Sequence, residues 1–198
     1  GFGAVGNAEA SLLASWDGSF WGAFSLPPGS GSVAQLMGNA DANSHPGAPL
    51  MCARATSSSF WSGTAWTLVS SSGCGIIVGP FAAVMHPGAS APTVYSKTNC
   101  FSTTLSGLAR LSGTAWTALA TPLMSGSSVA SFVPFDFGEG ERLLVTGTLG
   151  VPGTGFVATA QYDGAAWSAL PPGWPAGITN LVVAFEGSGR VLYATTVT

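Results

Sequence analysis

The chain has 198 residues, of which 46% are hydrophobic and only 7% charged, and it carries 7 Trp and 11 Phe. Disorder goes with high charge and few aromatics, so this composition argues for a folded chain, and its length suits one all-β domain. A net charge of -3 with 5 scattered basic residues leaves no positive stripe for phosphates, which sets nucleic acid aside as a partner, and no apolar run matches a membrane-spanning helix.

Residues 1–10 lack the basic start and apolar centre of a signal peptide, so the expectation is a mature or trimmed chain. Few charges with abundant Ser, Thr, Gly and aromatics suit an extracellular or cell-surface setting. The same scarcity of charge is explained if sheets stand face to face, because strands buried on both faces need little polar alternation.

In chain order, the first element is a hairpin, residues 12–16 turning at Asp17-Gly18 into 20–26. Its phrase, Trp16-Asp17-Gly18-Ser19-Phe20-Trp21, returns as Trp61-Ser62-Gly63-Thr64-Ala65-Trp66, as Leu111-Ser112-Gly113-Thr114-Ala115-Trp116 and as Tyr162-Asp163-Gly164-Ala165-Ala166-Trp167. The final Trp advances by 45, 50 and 51 residues, a period in the range of propeller blades. Each phrase reads as the third and fourth strands of a blade, the D-G or S-G pair supplying a two-residue turn. The first and second strands of each blade lie upstream: 33–38 and 50–55, 75–84 and 93–98, 129–135 and 142–147, and finally 178–185 and 190–196. Their connections carry turn chemistry, as in His45-Pro46-Gly47, His86-Pro87-Gly88 and Gly138-Glu139-Gly140.

The strands thus fall as two, four, four, four and two. The expected fold is an all-β, four-bladed β-propeller of four antiparallel strands per blade, closed by N-terminal and C-terminal strand pairs sharing one blade. The whole of 1–198 is one domain, with blades near 33–70, 74–120 and 128–170, and with 178–198 joined to 11–26. Closure would cover edge strands that otherwise invite aggregation. Alternatives with the same phase are a segment of a longer array and half of an eight-bladed ring of two chains. Gly18, Gly63, Gly113 and Gly164 with Trp21, Trp66, Trp116 and Trp167 are structural repeat positions.

The D-G-x-x-W hairpins, with segments such as Pro92-Thr93-Val94-Tyr95, resemble the divergent propeller repeats of secreted bacterial repeat proteins, distantly similar to kelch and WD-type blades. The resemblance spans the chain but implies a fold only, since such folds serve adhesins, scaffolds, lectins and enzymes. The second and third copies depart from it with Ser for Asp, and the third has Leu111 in place of an aromatic. The Asp-box of sialidases is a second comparison. Its Ser occurs only at Ser15, and Arg54, Arg110, Arg142 and Arg190 fall one per blade at nonequivalent positions, so no arginine cluster results.

Candidate sites are few. His45 and His86 share the H-P-G setting and read as exposed turns, since a metal centre needs three or four ligands. Asp136, Glu139 and Glu141 form an oxygen-rich loop that matches no calcium pattern, with Arg142 to balance the charge. Asp17 and Asp163 recur at turns, where backbone reasons favour Asp. No nucleophile with a base, and no facing carboxylate pair, stands out, so the chain reads as a non-enzyme without cofactor or metal. Loops at the ring end opposite the H-P-G turns hold the ligand or partner contacts: Trp174 and Pro172 in the 171–175 loop, Pro28, and Phe101 in the 99–107 stretch. Trp174 stacks on a sugar or anchors a protein, or else wedges between blades. Cys74 and Cys100 are symmetric about Pro87 and are expected to form a disulfide, with Cys52 a buried thiol outside it. The expected function is a noncatalytic extracellular binding or scaffolding module for a protein partner or its own copies. A carbohydrate-binding lectin is the alternative and a glycoside hydrolase a third reading; membrane insertion is not expected.

Overall fold

A computed structural model describes residues 14–16, 19, 21–23, 33–37, 49–54, 57–71, 80–97, 107–119, 121, 123–170, 173–175, 177–187 and 189–196. Over these residues the chain is all-β. Sixteen strands follow one another: β1 (Ala14–Trp16), β2 (Trp21–Ala23), β3 (Val33–Met37), β4 (Leu50–Arg54), β5 (Ser57–Trp61), β6 (Trp66–Ser71), β7 (Phe81–Val84) and β8 (Thr93–Lys97), then β9 (Leu108–Ser112), β10 (Ala115–Ala118), β11 (Ser128–Asp136), β12 (Glu141–Val151), β13 (Gly155–Tyr162), β14 (Trp167–Ala169), β15 (Ile178–Glu186) and β16 (Gly189–Thr196).

Sequence neighbours pair antiparallel, so β3–β6, β7–β10 and β11–β14 are each four-stranded meanders. The repeated phrase is a cross-strand unit in which its first residue faces its final Trp: Trp16 with Trp21, Trp61 with Trp66, Leu111 with Trp116 and Tyr162 with Trp167. The turn differs from the expected D-G pair. Ser112 still pairs with Ala115, and Ser62 N–H donates to Ala65 O at 3.0 Å, so the central pair is Gly followed by Thr or Ala. Gly63, Gly113 and Gly164 hold φ of 99°, 58° and 103° there, a region that L side chains disfavour. The residue before Gly caps the turn instead. Asp163 Oδ1 accepts from Ala165 and Ala166 N–H at 2.9 and 2.8 Å, and Ser62 Oγ accepts from Ala65 N–H at 3.2 Å, which explains why Asp and Ser interchange.

The middle sheets are buried on both faces. Adjacent residues Val94 and Tyr95 of β8 enter different cores, the first shared with Met51, Val69 and Trp116, the second with Leu143, Val145 and Tyr162. On β12, Leu143 and Leu144 alternate likewise, Leu144 meeting Ile178 and Leu181 of β15. Period-two alternation therefore feeds two apolar layers, each fully buried aliphatic contributing about 1.5–3 kcal/mol, and this is where the charge-poor composition acts.

Two expectations about the sheets change. β6 and β10 pair in parallel, with Ser70 N–H donating to Thr114 O at 2.9 Å, so β3–β10 is one eight-stranded sheet rather than two separate blades. Its halves share the core around Trp116, giving a barrel-like curl. Both joined strands were edges, and pairing satisfies their open backbone groups. Second, β1–β2 and β15–β16 form two separate two-stranded sheets instead of one shared blade. Each hairpin satisfies itself across its own short turn, whereas joining them would close nearly the whole chain. Cys52 is buried in β4, its thiol 3.9 Å from Ala53 O. Cys74 and Cys100 lie outside the described residues.

Candidate binding groove

The third meander and the terminal hairpin meet along a line of aromatics. β11 delivers Phe135 and ends in a turn held by Asp136, whose Oδ1 accepts from Gly138 and Gly140 N–H at 2.7 and 2.9 Å. That turn presents Phe137, 41% exposed. Phe137 lies 5.0 Å from Phe135 and 5.9 Å, edge to face, from Trp174, separations at which aromatic pairs attract. Trp174 is half-buried against the Leu144, Ile178 and Leu181 cluster. With Pro175, Leu192 and Ala194, these rings border an open cavity of about 620 Å³.

Arg190 is the charged residue of the lining, and its guanidinium is bound to Glu141 at 2.5 Å. Glu141 is 5% exposed and its other oxygen accepts from Met85 N–H at 2.7 Å. One carboxylate thus ties together β12, the segment after β7 and β16. Read in sequence as part of an acidic loop, Glu141 is a buried bridge, because the strand begins there and turns it inward. Glu139 does remain at the surface, paired to Arg142 at 2.7 Å, an exposed pair worth little to stability.

His86 corrects a second expectation. It is buried, not an exposed turn, because the 163–164 hairpin lies over it: a Cβ at Gly164 would stand 3.0 Å from the imidazole. Its Nε2 lies 2.6 Å from the Tyr95 hydroxyl, and Tyr95 and Tyr162 present edges to the ring. Burial holds the imidazole below its ordinary pKa, against the opposing pull of Asp163 and Glu141. Asp163 itself is held low by the Ala166 N–H foremost and by the Ala165 N–H. No grouping of three or more potential metal ligands occurs among the described residues.

Trp66, Trp116 and Trp167 serve packing. Trp116 is fully buried, stacks on Phe81 at 5.9 Å and donates Nε1–H to Ser58 Oγ at 2.7 Å; Trp167 donates to Thr121 O at 2.8 Å. Trp66 sits 5.5 Å from Trp61. For Trp21 the strand pairing is described, and Gly18, like Pro28, Phe101, Pro172 and His45, lies outside the described residues.

Trp174, the one expected contact among the described residues, lines a cavity and does not stand at the end opposite the Gly138-Glu139-Gly140 turn. It stands beside Phe137 instead. Phe135, Phe137, Leu192 and Arg190 were missed, although Phe135-Asp136-Phe137 next to a Gly-rich turn was a signal for exposed aromatics. Neither a family model, nor a curated protein, nor a solved structure matches the chain.

Proposed function

We propose that this chain is a noncatalytic, extracellular binding or scaffolding module that captures a protein partner in the Phe135, Phe137 and Trp174 groove. Its all-β framework of four-stranded meanders, two of them joined edge to edge, holds this groove where the third meander meets β15–β16. The observation that carries the function is the edge-to-face pair of exposed Phe137 and half-buried Trp174 bordering a cavity whose single charged lining residue is already paired. Aromatic slots with few polar groups suit apolar or proline-rich segments, which bring little unmet hydrogen bonding with them. A sugar would need several polar partners around its hydroxyls, and this lining offers few.

The test is a proline-rich peptide array and a glycan array, each probed with the native chain and with Trp174→Ala. Peptide binding lost in the variant supports the proposal. Glycan binding alone, lost in the variant, favours the lectin reading, and no Trp174-dependent binding on either array refutes the groove.

A further inference from the structure

The two ends of the chain carry complementary halves of one meander. In two of the three complete meanders, β3–β6 and β11–β14, the second strand meets the third at one equivalent place: Leu50 faces Trp61 and Leu143 faces Tyr162. Both partners are the first residue of the repeated phrase. Upstream, the first strand carries a bulge, between Val33 and Gln35 and between Val129 and Ser131. The pair closing that bulge, Gln35 with Ala53 or Ser131 with Thr146, lies three residues beyond Leu50 or Leu143 on the second strand.

β15–β16 repeats this first half in full. Its bulge falls between Ile178 and Asn180, Asn180 faces Thr195, and three residues before Thr195 stands Leu192. β1–β2 repeats the second half, with Trp16 facing Trp21 as Trp61 faces Trp66. Superposing the halves sets Leu192 opposite Trp16 and Ala194 opposite Ala14. Within one chain, however, the hairpins are separate two-stranded sheets, an arrangement of marginal stability by itself. β16 has no strand beyond it among the described residues, and the cross-strand pair Val182 and Tyr193 is about half exposed.

We infer that the open edge of β16 takes the N-terminal hairpin of a second copy of this chain, β1 pairing antiparallel with β16 in the Leu192–Trp16 and Ala194–Ala14 register. Reciprocal exchange between two copies covers this edge in both chains and closes the assembly without a growing end. A functional consequence follows that rests on the groove reading above. Leu192 and Ala194 line the groove, so a strand paired to β16 in this register extends the sheet that forms the groove wall.

The experiment begins with the native chain, whose solution mass at micromolar concentration is expected to be twice that of one chain; a monomer overturns the inference. Next, Ala14→Cys and Ala194→Cys proteins are mixed and oxidised, and the linkage is mapped. Roughly tenfold more covalent dimer is expected than with Ser15→Cys and Ala194→Cys, because a one-residue shift turns the side chain to the other face and out of disulfide reach. Equal cross-linking overturns the register. The double variant Ala14→Cys/Ala194→Cys is expected to give a covalent dimer, and an internally cross-linked monomer overturns exchange in favour of closure within one chain. A cross-linked dimer that binds nothing on the peptide array counts against the groove reading and leaves the pairing standing.

Discussion

Gly63 and Gly164 occupy the same turn position with nearly the same backbone, φ of 99° and 103°, yet they face different surroundings. A Cβ at position 63 meets nothing within 4 Å, while at position 164 it meets the buried His86 ring at 3.0 and 3.1 Å. Gly63→Ala therefore carries the backbone term alone, about 1–2 kcal/mol for a positive φ. Gly164→Ala adds overpacking against a ring held by Tyr95 and Tyr162, about 1–3 kcal/mol more. Urea unfolding of both variants gives the difference directly. His86→Ala opens the space, so in the double variant with Gly164→Ala the extra cost should largely vanish, a coupling of about 1–2 kcal/mol between contacting residues. Equal losses for the two glycine variants, or additive effects in the double variant, would refute the claim that the hairpin presses on His86.

Glu141→Gln leaves the shape of the bridge but removes its charge beside Arg190; with Arg190 partly solvated, the expected loss is near the lower bound for a buried pair, about 3 kcal/mol by urea unfolding. Because burial lowers the His86 pKa in the folded chain, its contribution is full above the ordinary imidazole value of 6.5 and declines as pH falls from there through the lowered native value. Stability measured from pH 8 to 5 should drop accordingly, and His86→Phe should flatten that part of the profile. Ser58→Ala removes the acceptor of the buried Trp116 N–H and should cost about 1–3 kcal/mol, with the Trp116 contribution to near-ultraviolet circular dichroism altered. Trp174→Ala, at a half-buried position, should cost only about 1–2 kcal/mol in thermal unfolding, so a larger binding loss would be separable from misfolding.

The strands were legible because their signals are local. Alternating apolar residues, a Gly that must take positive φ, and a Trp facing the first residue of its phrase recur within windows of a few residues, and the antiparallel pairs between successive strands fall where those signals stand. The Asp and Ser exchange in the phrase became intelligible only with the turn geometry, since either side chain can cap the same N–H groups. Burial of His86 was not legible. By its local text His86-Pro87-Gly88 is a turn, and what buries position 86 is a hairpin almost eighty residues away lying across it. Glu141 hid for a similar reason, its neighbours Glu139 and Arg142 being a solvated pair.

The sequence by itself determined the period, the strand order within each meander and the need for two-sided burial, because backbone pairing and side-chain alternation depend on neighbours along the chain. Tertiary structure alone decided that β6 joins β10, that the terminal hairpins stand as separate sheets, and that Trp174 reaches Phe137. Those contacts arise where open edges and apolar faces from distant segments compete for partners, and the winner depends on which surfaces the packed sheets bring together.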